Sequence, residues 1–172
     1  MKINIYVANL TKYNEGILKG EWIKLPISKE ELEEALNEIL GSDDEHAIHD
    51  FEAPFDIHEY DNIYELNEFA QELVGVDEDE KVIKIISSDI LGSGYYRSEL
   101  VRILKDHEYS VVSDVWSEQD LALKVDDELL PFDYSLIKDS GIDNYLDWEK
   151  IGREMVLDGW IIKNGIAIKV EI

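Results

Sequence analysis

Acidic side chains are spread along this chain so evenly that no part of it escapes a strong negative charge. Residues 1–60 carry 14 acids against 5 bases, residues 61–110 carry 12 against 5, and residues 111–172 carry 14 against 6. The formal net charge is -24 over 172 residues. The excess is not an acidic tail, so each folded part must solvate its own share at the surface. Such a field repels nucleic acid and anionic lipid, which excludes a DNA binder with a basic groove. What remains is a binder of cations or basic surfaces, a salt-adapted protein, or an imitator of a polyanion. Salt adaptation fits poorly, because 13 of the 16 bases are lysine and 22 residues are isoleucine, types that halophilic surfaces shed. With 45% hydrophobic residues the chain can still bury a core.

Met1-Lys2 leads straight into alternating Ile3, Ile5 and Val7, with no apolar signal region or cleavage site. No stretch approaches the ~18 apolar residues of a membrane span. A count of Cys 0 removes disulfides and thiolate metal sites. A cytoplasmic protein without cofactor or membrane association is expected.

Periodicity predicts an α+β chain. Residues 2–10 alternate as a strand, a turn falls at Asn14-Glu15-Gly16, and residues 21–25 read as a second strand. Ser28 and Glu31 form a capping box, Ile27 is placed to staple onto Leu32, and Gly41 ends the helix. Leu32, Ala35, Leu36, Ile39 and Leu40 make its inner stripe. Its outer face holds Glu30, Glu31, Glu33, Glu34 and Glu38 with only Lys29 opposing, and the i,i+4 acid pairs repel. The pattern of residues 46–51 predicts a third strand. A second acidic helix over 61–74 puts Ile63, Leu66, Phe69, Ala70 and Leu73 inside and Glu65, Glu68 and Glu72 outside.

Asp77-Glu78-Asp79-Glu80 opens the next segment, where acids favour a helix N-terminus. Residues 81–91 fit a helix through Val82, Ile83, Ile86 and Ile90, while their β-branched side chains leave a strand open. A helix over 95–105 carries Arg97, Arg102 and Lys105, read as internal partners for neighbouring acids. Residues 109–114 form a strand. Ser117 then caps a helix with a Trp116/Leu121 staple. That helix is expected to end in Asp126-Asp127-Glu128, acids at the end where the macrodipole prefers cations. A locally unfavourable choice of this kind points to function. A helix over 144–155 follows, and Asn164-Gly165 joins the closing strands as a hairpin.

Catalytic signatures are absent: no phosphate-binding glycine loop, nucleophile elbow or zinc-protease helix. His46 and His49 fall three apart in a strand, on opposite faces, with His58 nearby, which argues against a metal site. Asp43-Asp44-Glu45 lacks the glycine and terminal glutamate of a calcium loop. Trp22, Trp148 and Trp160 sit in amphipathic elements and are expected in the core.

The residues Tyr6-Val7-Ala8-Asn9-Leu10, Lys12-Tyr13-Asn14-Glu15-Gly16 and Gly20-x-Trp22 begin a resemblance to a known family. It continues through Ala47-Ile48-His49-Asp50-Phe51-Glu52-x-Pro54-Phe55, Glu59-Tyr60 and Glu65-Leu66-Asn67. It returns at Tyr145-x-Asp147-x-x-x-x-Gly152-Arg153 and in the Asn164-Gly165 hairpin. The chain resembles the ArdA-type antirestriction proteins of conjugative transposons and other mobile genetic elements. The resemblance is specific in the first seventy and last thirty residues, and the middle third diverges.

That resemblance implies an elongated, acidic homodimer of three small domains, α+β at the ends and mostly helical in the middle. The divisions expected are residues 1–60, 61–107 and 108–172, the last being the dimerising part. It also implies imitation of bent B-form DNA in the groove of type I restriction–modification enzymes, at their methyltransferase and specificity core. Twenty-four net charges match roughly 41 Å of duplex, which carries one charge per ~1.7 Å. A compact chain of this length is only about 40 Å across, so an extended, doubled surface imitates DNA better.

The interaction surface expected is a distributed acidic face. In residues 1–60 it comprises Glu30, Glu31, Glu34, Glu38, Asp43, Asp44 and Glu45. Glu65, Glu68, Glu72, Asp77, Glu78, Asp79 and Glu80 follow in the middle. Asp114, Glu118, Asp120, Asp126, Asp127 and Glu128 complete it. No residue is assigned a catalytic or metal-binding role. An acidic chaperone or sponge for basic proteins is the alternative, separated from a mimic by selectivity, and a small hydrolase using paired carboxylates is a distant third.

Overall fold

The computed structural model describes residues 1–92 and 94–171. Strand β1 (Ile3–Asn9) forms the centre of a three-stranded antiparallel sheet, flanked by β2 (Gly20–Leu25) and β3 (His46–Glu52). Alternation turns Ile3, Ile5 and Val7 inward beside Ile23, Leu25 and Ile48, all buried. The β1–β3 register shifts between Tyr6, opposite Asp50, and Val7, opposite Ile48, leaving His49 as the extra residue of a bulge. A short helix α1 (Leu10–Asn14) joins β1 to β2.

Helix α2 (Lys29–Leu40) starts as its capping box dictates. Ser28 N donates to Glu31 Oε2 at 2.9 Å and Glu31 N donates to Ser28 Oγ at 3.2 Å. Leu32, Leu36 and Ile39 are buried against the sheet. Three helices fill the middle of the chain: α3 (Ile63–Glu72), α4 (Glu80–Lys84) and α5 (Arg97–Asp106). α4 runs on into a π-helical stretch, Ile85–Leu91, so residues 81–91 are helical throughout. Burial decides this: Val82, Ile83, Ile85 and Ile86 enter the core, overriding the strand preference of β-branched side chains. The wider turn carries Ser87 inside, where Oγ donates to the Pro54 carbonyl at 3.3 Å.

A second antiparallel sheet closes the chain in the order β4 (Tyr109–Ser113), β6 (Ile166–Val170), β5 (Ile161–Lys163). Asn164 (φ 53°) and Gly165 (φ 77°) are both left-handed, as a two-residue type I′ hairpin requires. Helices α6 (Glu118–Lys124), α7 (Tyr134–Lys138) and α8 (Trp148–Leu157) pack on this sheet's side of the molecule. The fold is α+β. Among the described residues, no helix is long and apolar enough to cross a membrane.

Buried apolar side chains form two clusters. The larger unites the inner face of the first sheet, α2, the middle helices, and Ile168 and Val170 from β6. The apolar sets read separately in the first and middle thirds therefore pack together. The smaller cluster gathers Val115, Leu121, Val125, Met155, Trp160 and Ala167 among its members. β6 contributes to both, Ala167 on one side and Ile168 and Val170 on the other. It is the seam between them.

Four local expectations change. The alternation of Ile166, Ile168, Val170 and Ile172 predicts a closing strand whose apolar row needs cover from a partner, but β6 lies between β4 and β5, and Ala167, Ile168 and Val170 are buried within the chain. Its last expected member, Ile172, lies outside the described residues. α6 ends at Lys124, not at the acids, because Val125 turns to extended backbone and buries its side chain. Asp126, Asp127 and Glu128 instead open a short 3-10 turn, Asp127–Leu129, where acids suit the dipole, so no unfavourable helix end marks them for function. The helix expected over 144–155 begins at Trp148, capped by Asp147, after a separate 3-10 turn, Asp143–Tyr145. Trp22 is 48% exposed on the outer face of β2, edge-to-face with Tyr6 at 5.6 Å, and Trp116 is 73% exposed with its ring against Gly165. Trp160 and partly Trp148 are the tryptophans that belong to the core.

Candidate functional site

The twenty acids expected to form a binding face divide by what their carboxylates do. Seven serve the fold. Glu31 completes the α2 capping box, and Asp43 Oδ2 accepts from the buried Asn9 Nδ2 at 3.0 Å. Glu78 Oε2 accepts from the Tyr109 hydroxyl at 2.6 Å, Asp79 caps α4 by accepting from Lys81 N at 2.7 Å, and Glu80 accepts from Lys2 N at 3.0 Å. Glu118 lies 3.4 Å from Arg153, and Asp120 accepts from Trp116 N at 3.0 Å. These carboxylates are committed to local geometry before any partner arrives.

The remaining thirteen are Glu30, Glu34, Glu38, Asp44, Glu45, Glu65, Glu68, Glu72, Asp77, Asp114, Asp126, Asp127 and Glu128. All are exposed, and none has a cationic partner within 4.0 Å among the described residues. Two helices carry the densest rows. On α2, Glu30, Glu34 and Glu38 follow the i,i+4 rule along the face opposite Leu32, Leu36 and Ile39. On α3, Glu65, Glu68 and Glu72 lie opposite Ile63, Leu66, Phe69 and Ala70. Carboxylates four residues apart rise about 6 Å along a helix, roughly half the charge density of one DNA strand. One helix is too sparse to stand for a strand, and two helices with their loops are needed.

The α3 row borders an open groove of about 440 Å³ lined also by Asp56, Asp61, Tyr95, Tyr96 and Arg97. Arg97 lines it too, and it is engaged: its guanidinium pairs with Asp61 and lies 5.6 Å from the Phe69 ring centroid. Arg102 likewise pairs with Glu108. Two of the three basic residues of α5 are internal partners as expected, whereas Lys105 is exposed and pairs with no acid among the described residues. Asp56, Asp61, Tyr95 and Tyr96 were not predicted for this surface, since loops bring them together and no periodic pattern marks them.

The Ser28 backbone and hydroxyl hold Glu31 below its ordinary value, and Lys2 and Asn4 do the same for Glu52. Burial, then the bond to Glu78, pushes the Tyr109 phenol well up. None of these lies in an enclosed pocket beside a second reactive group. Among the described residues, no cluster of three or more metal-ligating side chains exists.

The fold is α+β, and its exposed carboxylates without ionic partners among the described residues lie on separate helices and loops. The family model of the antirestriction protein ArdA matches residues 5–167, nearly the whole chain. The chain belongs to the ArdA antirestriction family, and its role is antirestriction. No curated protein matches it.

Proposed function

We propose that this protein inhibits type I restriction–modification enzymes by occupying the DNA groove of their methyltransferase and specificity core in place of B-form DNA. The observation that carries this reading is the set of thirteen exposed carboxylates without ionic partners, arranged in rows on α2 and α3 and in loops of every third of the chain. Arginine and lysine side chains that grip phosphate oxygens grip carboxylate oxygens by the same charge-assisted bonds. Inhibition is displacement: the groove loses DNA and gains carboxylates, and no bond in either protein changes. The inhibitor is not an enzyme, needs no cofactor and acts in the cytoplasm. Its three segments, 1–60, 61–107 and 108–172, extend the charged surface.

A homodimer, joined through the last segment, lengthens that surface. Supporting it, Trp116, Leu123, Leu136, Tyr145 and Leu157 are all more than half exposed there. An acidic sponge for basic proteins would share the charge but not the selectivity.

The deciding experiment is competition. Increasing amounts of the protein are added to a type I methyltransferase bound to labelled duplex DNA, at several salt concentrations. Displacement that weakens steeply with salt supports the proposal. A ternary complex retaining DNA, or equal inhibition of arbitrary DNA-binding proteins, overturns it.

A further inference from the structure

Two asparagines hold α2 at its opposite ends. Asn9, at the end of β1, is fully buried, and its side-chain amide reaches the far end of the helix. Nδ2 donates to the Ile39 and Leu40 carbonyls at 3.2 and 3.3 Å and to Asp43 Oδ2 at 3.0 Å, while Oδ1 accepts from Lys12 N at 2.9 Å. Asn67, on α3, grips the near end. Its Oδ1 accepts from Ile27 N at 3.0 Å and its Nδ2 donates to the Ile27 carbonyl at 2.9 Å, one residue before the Ser28 cap. The backbone N–H and the carbonyl of Ile27 are thereby both tied to α3.

The apolar stripe of α2 decides which face is buried but is tolerant of sliding, since hydrophobic contact has no preferred direction. Amide hydrogen bonds are directional and lose strength over a few tenths of an ångström. Asn67 falls between Glu65 and Glu68 on α3, so its grip on Ile27 links the start of one carboxylate row to the middle of the other. Asn9 prevents the far end, beyond Glu38, from pivoting. Resting on the mimic reading, we infer that Asn9 and Asn67 are positioning residues of the inhibitory surface: they fix the spacing of the α2 and α3 carboxylate rows, and that spacing gives selectivity for a DNA groove over a generic basic surface.

The test uses the intact protein and three variants, Asn67→Leu, Asn67→Asp and Asn67→Gln, each scored for DNA displacement from a type I methyltransferase, for binding to polylysine, and for thermal unfolding. Asn67→Leu leaves the net charge unchanged. In the folded protein it should weaken displacement about tenfold while polylysine binding stays constant, because recognition register is lost and charge is not. Asn67→Asp adds a negative charge but loses the donor to Ile27, so it should also displace DNA less well, where a charge-only inhibitor would improve. Should Asn67→Leu not fold, Asn67→Gln keeps the amide on a longer stem and shifts α2 without removing its partners. Its displacement should fall while polylysine binding holds. Folded variants displacing DNA as well as the wild type overturn the positioning role. A wild-type protein that fails to displace DNA overturns the underlying reading instead, a result visible before any variant is made.

Discussion

Gly152 on α8 lies directly against the backbone of Glu118 at the start of α6: a Cβ placed on it would fall 1.8 Å from the Glu118 carbonyl oxygen. The obstacle is backbone, not a flexible side-chain end, so no rotamer change relieves it. Gly152→Ala should separate α6 from α8 and open the small cluster around Leu121 and Met155. The gain of about 1 kcal/mol from alanine in a helix is outweighed by overpacking of about 1–3 kcal/mol or more. Chemical denaturation should show a net loss of stability, and an unchanged or raised midpoint would refute the close approach.

Tyr109 opens β4 and donates to Glu78, tying the second sheet to the loop before α4. Tyr109→Phe leaves the half-buried Glu78 without this donor, and bonds to charged groups contribute about 1.5–3 kcal/mol. The phenol's folded pKa lies above its ordinary 10.0, so the stability it brings is present below that pH and lost as pH rises beyond it. Melting temperatures of the two proteins should therefore converge above pH 10.0. A gap that stays constant into strong alkali contradicts the role of this bond.

Glu31 has the opposite sign. Its folded pKa lies below the ordinary 4.5, so its contribution is present above that value and disappears as acid protonates it in the folded state. Glu31→Gln should melt earlier than the wild type at neutral pH, with the difference shrinking as pH falls below 4.5. A difference that grows in acid would show that the capping box is not its source.

Glu34 faces Glu30 and Glu38 one helical turn away on either side, with no cation opposing it among the described residues. Glu34→Gln should raise stability by a few tenths of a kcal/mol, because like charges at this spacing repel. Its loss alone should barely weaken inhibition, since a single exposed ion pair contributes ~0–1 kcal/mol. Neutralising Glu30, Glu34, Glu38, Glu65, Glu68 and Glu72 together should weaken inhibition by orders of magnitude while the melting temperature holds or rises. One substitution that abolishes inhibition in a folded protein would point to a discrete site.

The last expectation concerns assembly. Sedimentation or solution scattering at micromolar concentration should give an elongated dimer. A compact monomer would remove the proposed extension of the charged surface.

Much of this molecule is written in short-range pattern. The Ser28–Glu31 box, the inward alternation of Ile3, Ile5 and Val7, the buried stripe of α3 and the Asn164-Gly165 turn each depend on residues within about one turn or one hairpin of each other. The same nearness makes the acidic rows readable, because a stripe of apolar residues leaves only one face for Glu30, Glu34 and Glu38. The buried role of Asn9 was missed, although it continues the inward parity of Ile3, Ile5 and Val7, where a polar side chain must find buried partners.

Tertiary structure alone decided what distant segments do to one another. That 81–91 became helix depended on a core that α3 and α5 complete, because its β-branched side chains left a strand open. That β6 lies inside its sheet follows from β4, more than fifty residues earlier, taking its outer side. Val125 draws the chain out of α6 to fill the small cluster, and so decides which end of a helix the acids after it meet. The grip of Asn67 on Ile27 crosses forty residues and is invisible to any periodic reading. Charge and local periodicity are properties of neighbours along the chain, whereas packing and buried hydrogen bonds are properties of neighbours in space.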